Sequence, residues 1–458
     1  MLTLRFDRGT LLLDGLDSDQ APSGFVWDGR VNRLRGPGMA YHDLVLGLHR
    51  SKVAYADNAK AWEALSLRHD TPKTPRDYQG EAVKAWTKAG RRGVVSLPTG
   101  SGKSFVAELC IAACQRPALV VAPTIDLVNQ WAANLALAFG GPIGVLGGGQ
   151  HELQPITVST YDSAYLHMDR YGDRFGLVVF DEVHHLPADA YAQIAELMLA
   201  PFRLGLSATV ERPDGLHQRL DDLVGPVVYE KSITELSGNV LSQYTVERVG
   251  VVLSDEDHAA YLACRATFRG FIASRGIRLG GQNGWGRFLR EAARSKDGRA
   301  AFKAHLESRR LMHATPAKLD ALEDILAQHP GQRSIIFTND NATVYRISRG
   351  FGIPCITHQT GAEERREILS GFSEGRYTAV VTSRVLNEGV DIPAAEVGVV
   401  LSGTSTVREH VQRLGRILRP KEGKQAVLYE VISLGTSEER ASERRNAHDA
   451  YRGEGASQ

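Results

Sequence analysis

The sequence predicts an α/β protein with two parallel-sheet lobes, a small α+β module ahead of them and a helical insertion between them. Three observations carry this. Over 71–230, short apolar runs at 93–97, 118–122, 155–159, 176–180 and 203–207 alternate with helical stretches, the pattern of a doubly wound parallel sheet. Over about 315–435 the alternation recurs, with apolar runs near 333–337, 378–382, 397–401 and 425–432. Between the lobes it stops: residues 261–310 carry twelve Arg or Lys against three acids, interleaved with Phe268, Phe271, Trp285, Phe288 and Phe302.

Composition sets the outer bounds. The 458 residues suit two or three domains, and 43% hydrophobic with 23% charged residues is ordinary for a globular chain. A net charge of +1 means that any basic surface must be local. No apolar run is long enough to span a membrane. The opening Met1–Asp7 lacks the apolar stretch of a signal peptide, so the expectation is a cytoplasmic chain with no membrane partner. Four cysteines give no disulfide framework; Cys110 and Cys114, one helical turn apart, read as small buried hydrophobes.

Residues 1–70 balance nine acidic against nine basic side chains and hold no catalytic motif. Leu11–Leu13 predicts a strand, and Tyr41–Leu48 and Ala59–Leu67 predict short helices. Trp27 and Trp62 read as core residues rather than a base-stacking platform. Thr71-Pro72-Lys73-Thr74-Pro75 marks a boundary. Just after it, Arg76 and Gln79 stand at a helix start; the Gln79 amide has the donor and acceptor that an adenine edge needs, with Arg76 assisting. Alone, the pair is only a helix cap.

The run Leu97-Pro98-Thr99-Gly100-Ser101-Gly102-Lys103-Ser104 reads as a phosphate-cradling loop. Gly100 and Gly102 let backbone N–H groups close on phosphate, Thr99 and Ser101 belong to the same cradle, Lys103 reaches the β- and γ-phosphates, and Ser104 offers its hydroxyl to magnesium. Leu97 stands where the usual pattern has a small residue. The flanks support the function: an apolar strand precedes the loop, and Phe105–Cys114 predicts a helix.

Leu177–Phe180 predicts a buried strand that ends in Asp181 and Glu182. Ligands bind beyond the carboxyl ends of such strands. Asp181 is expected to hold magnesium through water, and Glu182 to orient and deprotonate the attacking water. His184 is expected to relay to the nucleic-acid side, and His185 to be structural. Ser207 and Thr209 end another strand with hydroxyls suited to coupling; Thr124 and Thr160 end two more and are expected to meet phosphate oxygens.

In the second lobe, Gly389 and Asp391 follow a strand; Gly389 allows backbone approach to the γ-phosphate and Asp391 faces a ribose hydroxyl. Gln412 and the comb Arg413, Arg416, Arg419 follow, with the arginines close to one face of a helix. Arg416 and Arg419 read as arginine fingers, a device worth roughly 10³–10⁵ in rate, and Gln412 as a holder of water or a contact of His184. Phosphate loop plus distant comb predicts an ATPase completed by a second lobe. The basic insertion predicts two helices joined by a loose glycine-rich loop, with Arg287, Arg290 and Arg294 meeting nucleic-acid phosphates. The structural alternative is a solvated helical hairpin with a small aromatic core.

In this order, the runs over about 71–435 resemble superfamily 2 helicases and translocases. The nearer resemblance is to the XPB family, the ATPase known also from the transcription and repair factor TFIIH and from archaeal and bacterial repair. Leu4–Thr10 and Phe25–Val31 are similar to its damage-recognition-like module, Thr209–Gly215 sits where the family has its Arg-Glu-Asp motif, and the basic insertion is placed like its thumb. The resemblance implies a damage-recognition-like module over 1–70, a RecA-like ATP-binding lobe over 71–230, a linker and thumb over 231–314, a second RecA-like lobe over 315–440 and a charged tail over 441–458. It implies ATP and Mg2+ as cofactors, 3′-to-5′ movement on single-stranded, duplex or forked DNA, a role in DNA repair, and a nuclease or other repair partner. Arg212 and Asp214 are expected near the DNA. Pro213 replaces the acidic middle residue of the motif, which predicts stronger translocation than strand opening. The alternatives are an RNA helicase of the same superfamily, a duplex DNA translocase with little strand separation, a DNA-binding scaffold with a vestigial site, and a restriction motor, for which no nuclease motif is present.

Overall fold

A computed structural model describes residues 1–212, 214–236, 243–279, 284–383, 395–402 and 425–446. The chain forms two compact units, one from Met1–Pro98 and Gly102–Lys231, the other from Ser232 onward together with Thr99–Ser101.

The first unit opens with a five-stranded sheet ordered Val26–Asp28, Arg33–Pro37, Thr10–Asp14, Leu2–Asp7, Tyr55–Asn58. Alternation puts Leu2, Leu4, Leu11, Leu13 and Leu34 into a core with Phe25, Tyr41, Trp62 and Leu199. Arginines and aspartates outside this core neutralise one another: Arg35 meets Asp7 at 2.8 Å and Asp28 at 2.7 Å, and Arg33 meets Asp14 at 3.2 Å. Arg30 and Arg35 hold the Asp28 carboxyl well below the usual carboxylate range.

Two expectations for this region fail. Residues 59–67 form no helix. Their backbone is satisfied elsewhere: Ala61 N–H donates to Asp173 O, and Leu65 N–H to Gln115 O. The spacing of Ala59, Trp62 and Leu65 that suggests a helix belongs to an irregular strap against the following sheet. Trp62 is core, whereas Trp27 sits on the edge strand and is 44% exposed.

The main sheet of this unit has eight strands, ordered Val227–Glu230, Arg92–Ser96, Phe202–Ser207, Leu177–Asp181, Ala118–Ala122, Ile156–Thr160, Gly144–Gly147, Gln150–Glu152. All pairings are parallel except the last. The central strands are apolar on both faces because helices cover both. Val94, Val121, Val178 and Phe180 pack with helix residues Tyr161, Ala164, Met168 and Ile194.

Arg203 is among the charged residues buried in this unit. Arg203 donates to the carbonyls of Ala195, Met198, Ala200 and Leu223 at 2.6–3.1 Å and faces no carboxylate partner among the described contacts. Burial pulls its pKa down to about 9. The planar fork fits carbonyls left open where the helix Asp189–Glu196 ends, and so ties the sheet to the segments beside it.

In the second unit the basic insertion folds as three helices, Asp255–Ser274, Gly284–Arg294 and Lys296–His313, not two. The extra helix begins at Gly284, inside the run of glycines that reads as loop, because Phe288 and Ala292 need a helical face to reach the core. Phe268, Phe271 and Phe288 fill that core, and Trp285 stays 42% exposed.

The second unit's sheet has six parallel strands, ordered Gln243–Val251, Gln425–Ser433, Val397–Val400, Ser334–Phe337, Ala379–Thr382, Cys355–Ile356. The edge strand Gln243–Val251 comes from the stretch read as linker and pairs residue for residue with Gln425–Ser433. Lys318 and Glu438, both buried, meet at 2.6 Å and pin the helix Pro316–Gln328 to Ser437–Asn446. Burial raises the Glu438 carboxyl, but Lys318 and His313 outweigh it and bring it to about 2. Ser442, also buried, donates to Glu430 at 2.6 Å, so the described start of the expected tail is docked helix. No described helix is long and apolar enough to cross a membrane.

Arg203→Ala strips one donor group from four buried carbonyls, and each orphaned carbonyl costs about 1–3 kcal/mol. Urea unfolding should show a loss above about 3 kcal/mol, partly recovered in Arg203→Lys. A loss below about 1 kcal/mol would show that water replaces the guanidinium.

Candidate active site

The phosphate loop joins strand Arg92–Ser96 to helix Lys103–Cys114. Gly100 and Gly102 both have φ of +85°, in the left-handed region that glycine adopts without cost. Gly102 caps the helix, and a Cβ there would lie 2.6 Å from Gln79 Nε2. The Gln79 amide therefore lies directly against the loop, its Nε2 3.5 Å from Gly102 O. Its Oε1 accepts from Arg76 N–H at 3.0 Å, so the expected helix cap is present as well; Arg76 itself is exposed. Lys103 Nζ donates to Leu97 O at 3.2 Å, the Ser104 side chain is exposed, and Ser101 is buried. Thr99 Oγ1 is buried without a hydrogen-bond partner among the described residues.

Asp181 ends the central strand and is buried. Its Oδ2 accepts from Trp131 Nε1 at 2.8 Å, its Oδ1 from Glu182 N–H at 3.0 Å, and its carbonyl from the Tyr161 hydroxyl at 3.0 Å. Burial pushes its pKa up, opposed by the Trp131 hydrogen bond and the Lys103 charge. A divalent cation beside it would hold the carboxylate ionised. Each Asp181 oxygen keeps a lone pair beyond its one bond. With the Ser104 hydroxyl this is a hard-oxygen donor set, and it fits magnesium.

Glu182 turns the chain through the left-handed region, φ +48° and ψ +54°, into the short turn Val183–His185. That strained turn brings Glu182 Oε2 within 3.4 Å of His184 Nδ1. Oε2 is buried with no hydrogen bond among the described residues. His184 is buried, its Nδ1 3.2 Å from Ser207 Oγ. Ser207 spends its single hydrogen on Thr209 O at 2.7 Å and also accepts from Thr209 N–H at 3.2 Å. The serine must therefore accept from His184, which puts the hydrogen on Nδ1. A polar path runs from Glu182 through His184 and Ser207 to Thr209. It continues to the segment holding Arg212 and Asp214, since Arg212 Nη1 donates to His184 O at 2.5 Å.

Thr124 and Thr160 stand at strand ends, but each hydroxyl caps a helix, accepting from Leu127 N–H at 3.3 Å and Ser163 N–H at 3.1 Å. Capping explains them without any ligand. Arg287, Arg290 and Arg294 lie exposed on one face of helix Gly284–Arg294; Arg287 also donates to Arg275 O at 3.3 Å, and Arg294 pairs with Glu291 at 3.4 Å. Of the aromatics around them, Phe268, Phe271 and Phe288 are core and Phe302 packs against them, which leaves Trp285 exposed. Pro213, Gly389, Asp391, Gln412, Arg413, Arg416 and Arg419 lie outside the described residues. Trp131 and Tyr161 escape the sequence reading. Both sit on apolar helix faces, and only the need of a buried indole N–H or phenol for an acceptor hints at their role.

Three family models match the chain: "Xeroderma pigmentosum group B helicase damage recognition domain" over residues 4–59, "Type III restriction enzyme, res subunit" over 72–212 and "Helicase conserved C-terminal domain" over 317–421. The DNA 3'-5' translocase XPB2 of Sulfurisphaera tokodaii is 39% identical over 445 residues, covering 97% of this chain and 100% of that one. The DNA 3'-5' helicase XPB of Mycobacterium tuberculosis is 30% identical over 374 residues, 78% of this chain and 60% of that longer protein. The helicase domain of Pyrococcus furiosus Hef superposes with a TM-score of 0.52 at 19% identity, over 81% of this chain and 98% of that one, a likeness of fold alone.

Trp131→Phe keeps the ring and removes the donor to Asp181. A buried acceptor left without its donor costs about 1–3 kcal/mol, so denaturant unfolding should lose that much. An unchanged midpoint would mean that Asp181 finds another donor.

Proposed function

The chain belongs to the XPB helicase family, and from that premise we propose that it is an ATP- and magnesium-dependent DNA helicase or translocase that moves 3′ to 5′ and serves DNA repair. The observation that carries the reading is the convergence of Lys103, Asp181 and Glu182 at the carboxyl end of one parallel sheet, with the Lys103 charge acting on the buried Asp181 carboxylate.

The loop Thr99–Ser104 cradles the phosphates. Lys103 leaves the Leu97 carbonyl for the β- and γ-phosphate oxygens, and the Gln79 amide takes the adenine edge with Arg76 beside it. Ser104 and Asp181 would hold Mg2+, which would supply positive charge to neutralise the transferring phosphoryl group. Glu182 orients the attacking water and accepts its proton. His184 carries the state of that carboxylate to Ser207 and Thr209, and from there toward DNA. Gly389, Asp391, Gln412, Arg416 and Arg419 complete the proposal as nucleotide and finger residues. The exposed row of Arg287, Arg290 and Arg294 meets DNA phosphates, and Thr124 and Thr160 are secondary candidates for the same task. A nuclease or other repair protein is the partner class that goes with this reading.

Lys103→Ala should abolish ATP turnover and leave DNA affinity nearly unchanged, because the loop and the basic helix are different surfaces. Turnover titrated with single-stranded, duplex and forked DNA and with RNA tests the substrate. Stimulation by RNA alone would move the chain to the RNA-helicase alternative, and wild-type turnover in Lys103→Ala would refute the nucleotide site.

Reversing Arg287, Arg290 and Arg294 to Glu should weaken duplex binding and reduce the slope of log K against log salt by roughly 2–3. An unchanged slope would leave the three helices as a solvated bundle.

A further inference from the structure

Arg212 stands where the sequence suggests a DNA contact, yet its guanidinium is engaged in the protein. Nε and Nη2 meet Asp214 Oδ1 and Oδ2 at 3.0 and 2.6 Å, a two-pronged pair, and Nη1 donates to His184 O at 2.5 Å. The side chain is only 18% exposed. Asp214 is itself fixed, its Oδ1 accepting from Leu216 N–H at 3.2 Å, and the Arg212 N–H donates to His217 Nδ1 at 3.3 Å. Arg212 holds the Asp214 carboxyl down at about 2, so the carboxylate it meets stays ionised at any working pH.

The acceptor that Arg212 selects is informative. His184 O belongs to the turn that follows Glu182, whose left-handed backbone persists only if its surroundings over-determine it. That turn is gripped twice from one neighbouring segment: Ser207 Oγ takes the His184 ring at Nδ1, and Arg212 takes the His184 main chain. A ring contact alone leaves the peptide free to rock about the side chain. The second contact fixes its height, and with it the direction of the Glu182 carboxylate.

We propose that Arg212 is a positioning residue for ATP hydrolysis, buttressed by Asp214, which locks the Glu182–His184 turn in register for the attacking water, and that it is not primarily a DNA contact. The proposal rests on Glu182 being the residue that activates water.

The test is steady-state ATP turnover without DNA and at saturating DNA, with DNA affinity measured separately, for Arg212→Ala, Arg212→Lys and Asp214→Asn. A misplaced catalytic group costs up to about 100-fold, so Arg212→Ala should lower kcat by roughly 10–100-fold, by the same factor with and without DNA, while KM for ATP and DNA affinity stay within about twofold. Arg212→Lys, a single-point donor to His184 O, should recover part of the loss, and Asp214→Asn should fall between. If Arg212→Ala does not fold, the Lys and Asn variants carry the same comparison. A DNA-free rate at the wild-type level combined with weaker, less salt-sensitive DNA binding would overturn the proposal and return Arg212 to the DNA surface. A raised KM with kcat kept would overturn it as well. Failure of the underlying reading shows differently: the wild type would then have no turnover that Lys103→Ala removes.

Discussion

The candidate site depends on one buried carboxylate. Asp181 must lie at the carboxyl end of its strand, where a parallel sheet opens toward ligands. A carboxylate buried there without partners would simply take up a proton. Its side chain draws on two other strand–helix units, Lys103 from the helix after Arg92–Ser96 and Trp131 from the helix after Ala118–Ala122, and its main-chain carbonyl on a third, the Tyr161 hydroxyl from the helix after Ile156–Thr160. Satisfying Asp181 therefore fixes how those helices seat on the sheet. The Trp131 hydrogen bond and the Lys103 charge, which oppose the upward pull of burial on the carboxyl, thus also give the site its shape.

Two other buried charges fasten the units in different ways. Arg203 spends its guanidinium on four carbonyls, while Lys318 faces the Glu438 carboxylate and also donates to Leu401 O. Such groups are a weak source of stability, but losing one partner is costly, and a wrong packing cannot satisfy the other. Both act at the rims of the sheets, where apolar contacts alone leave the register of covering helices loosely specified. On the outside the charge logic reverses. Arginines of the N-terminal sheet are neutralised by aspartates, whereas the insertion carries a large basic excess with few acids to cancel it. The chain's near-zero net charge thus coexists with a strongly basic insertion.

The central strands were legible because a parallel strand covered on both faces must be a short apolar run, and few other structures need one. The glycine loop before Lys103 was legible because its glycines answer to backbone geometry, and Gly100 and Gly102 both adopt positive φ. What failed lay where periodicity had two explanations. Ala59, Trp62 and Leu65 have helical spacing but line an irregular strap, and Trp27 is an aromatic on an edge strand rather than in the core. The glycines near 284 suggested a loop until Phe288 and Ala292 claimed a helical face. The strand Gln243–Val251 carries too many polar residues to read as buried, and only its partner Gln425–Ser433 makes it a strand.

By itself the sequence determined the α/β class and pointed to Lys103, Asp181 and Glu182 as candidate nucleotide residues, because those follow from local rules: strand, glycine loop, helix, and a carboxylate at a strand end. Tertiary structure alone decided what those residues lean on. Trp131 lies 50 residues before Asp181 and Arg212 lies 28 after His184, and no local pattern records either pairing. Hydrogen-bond partners of buried groups are chosen in space, when the sheet brings distant segments to one end, so the candidate residues were written in the chain and their supports only in the fold.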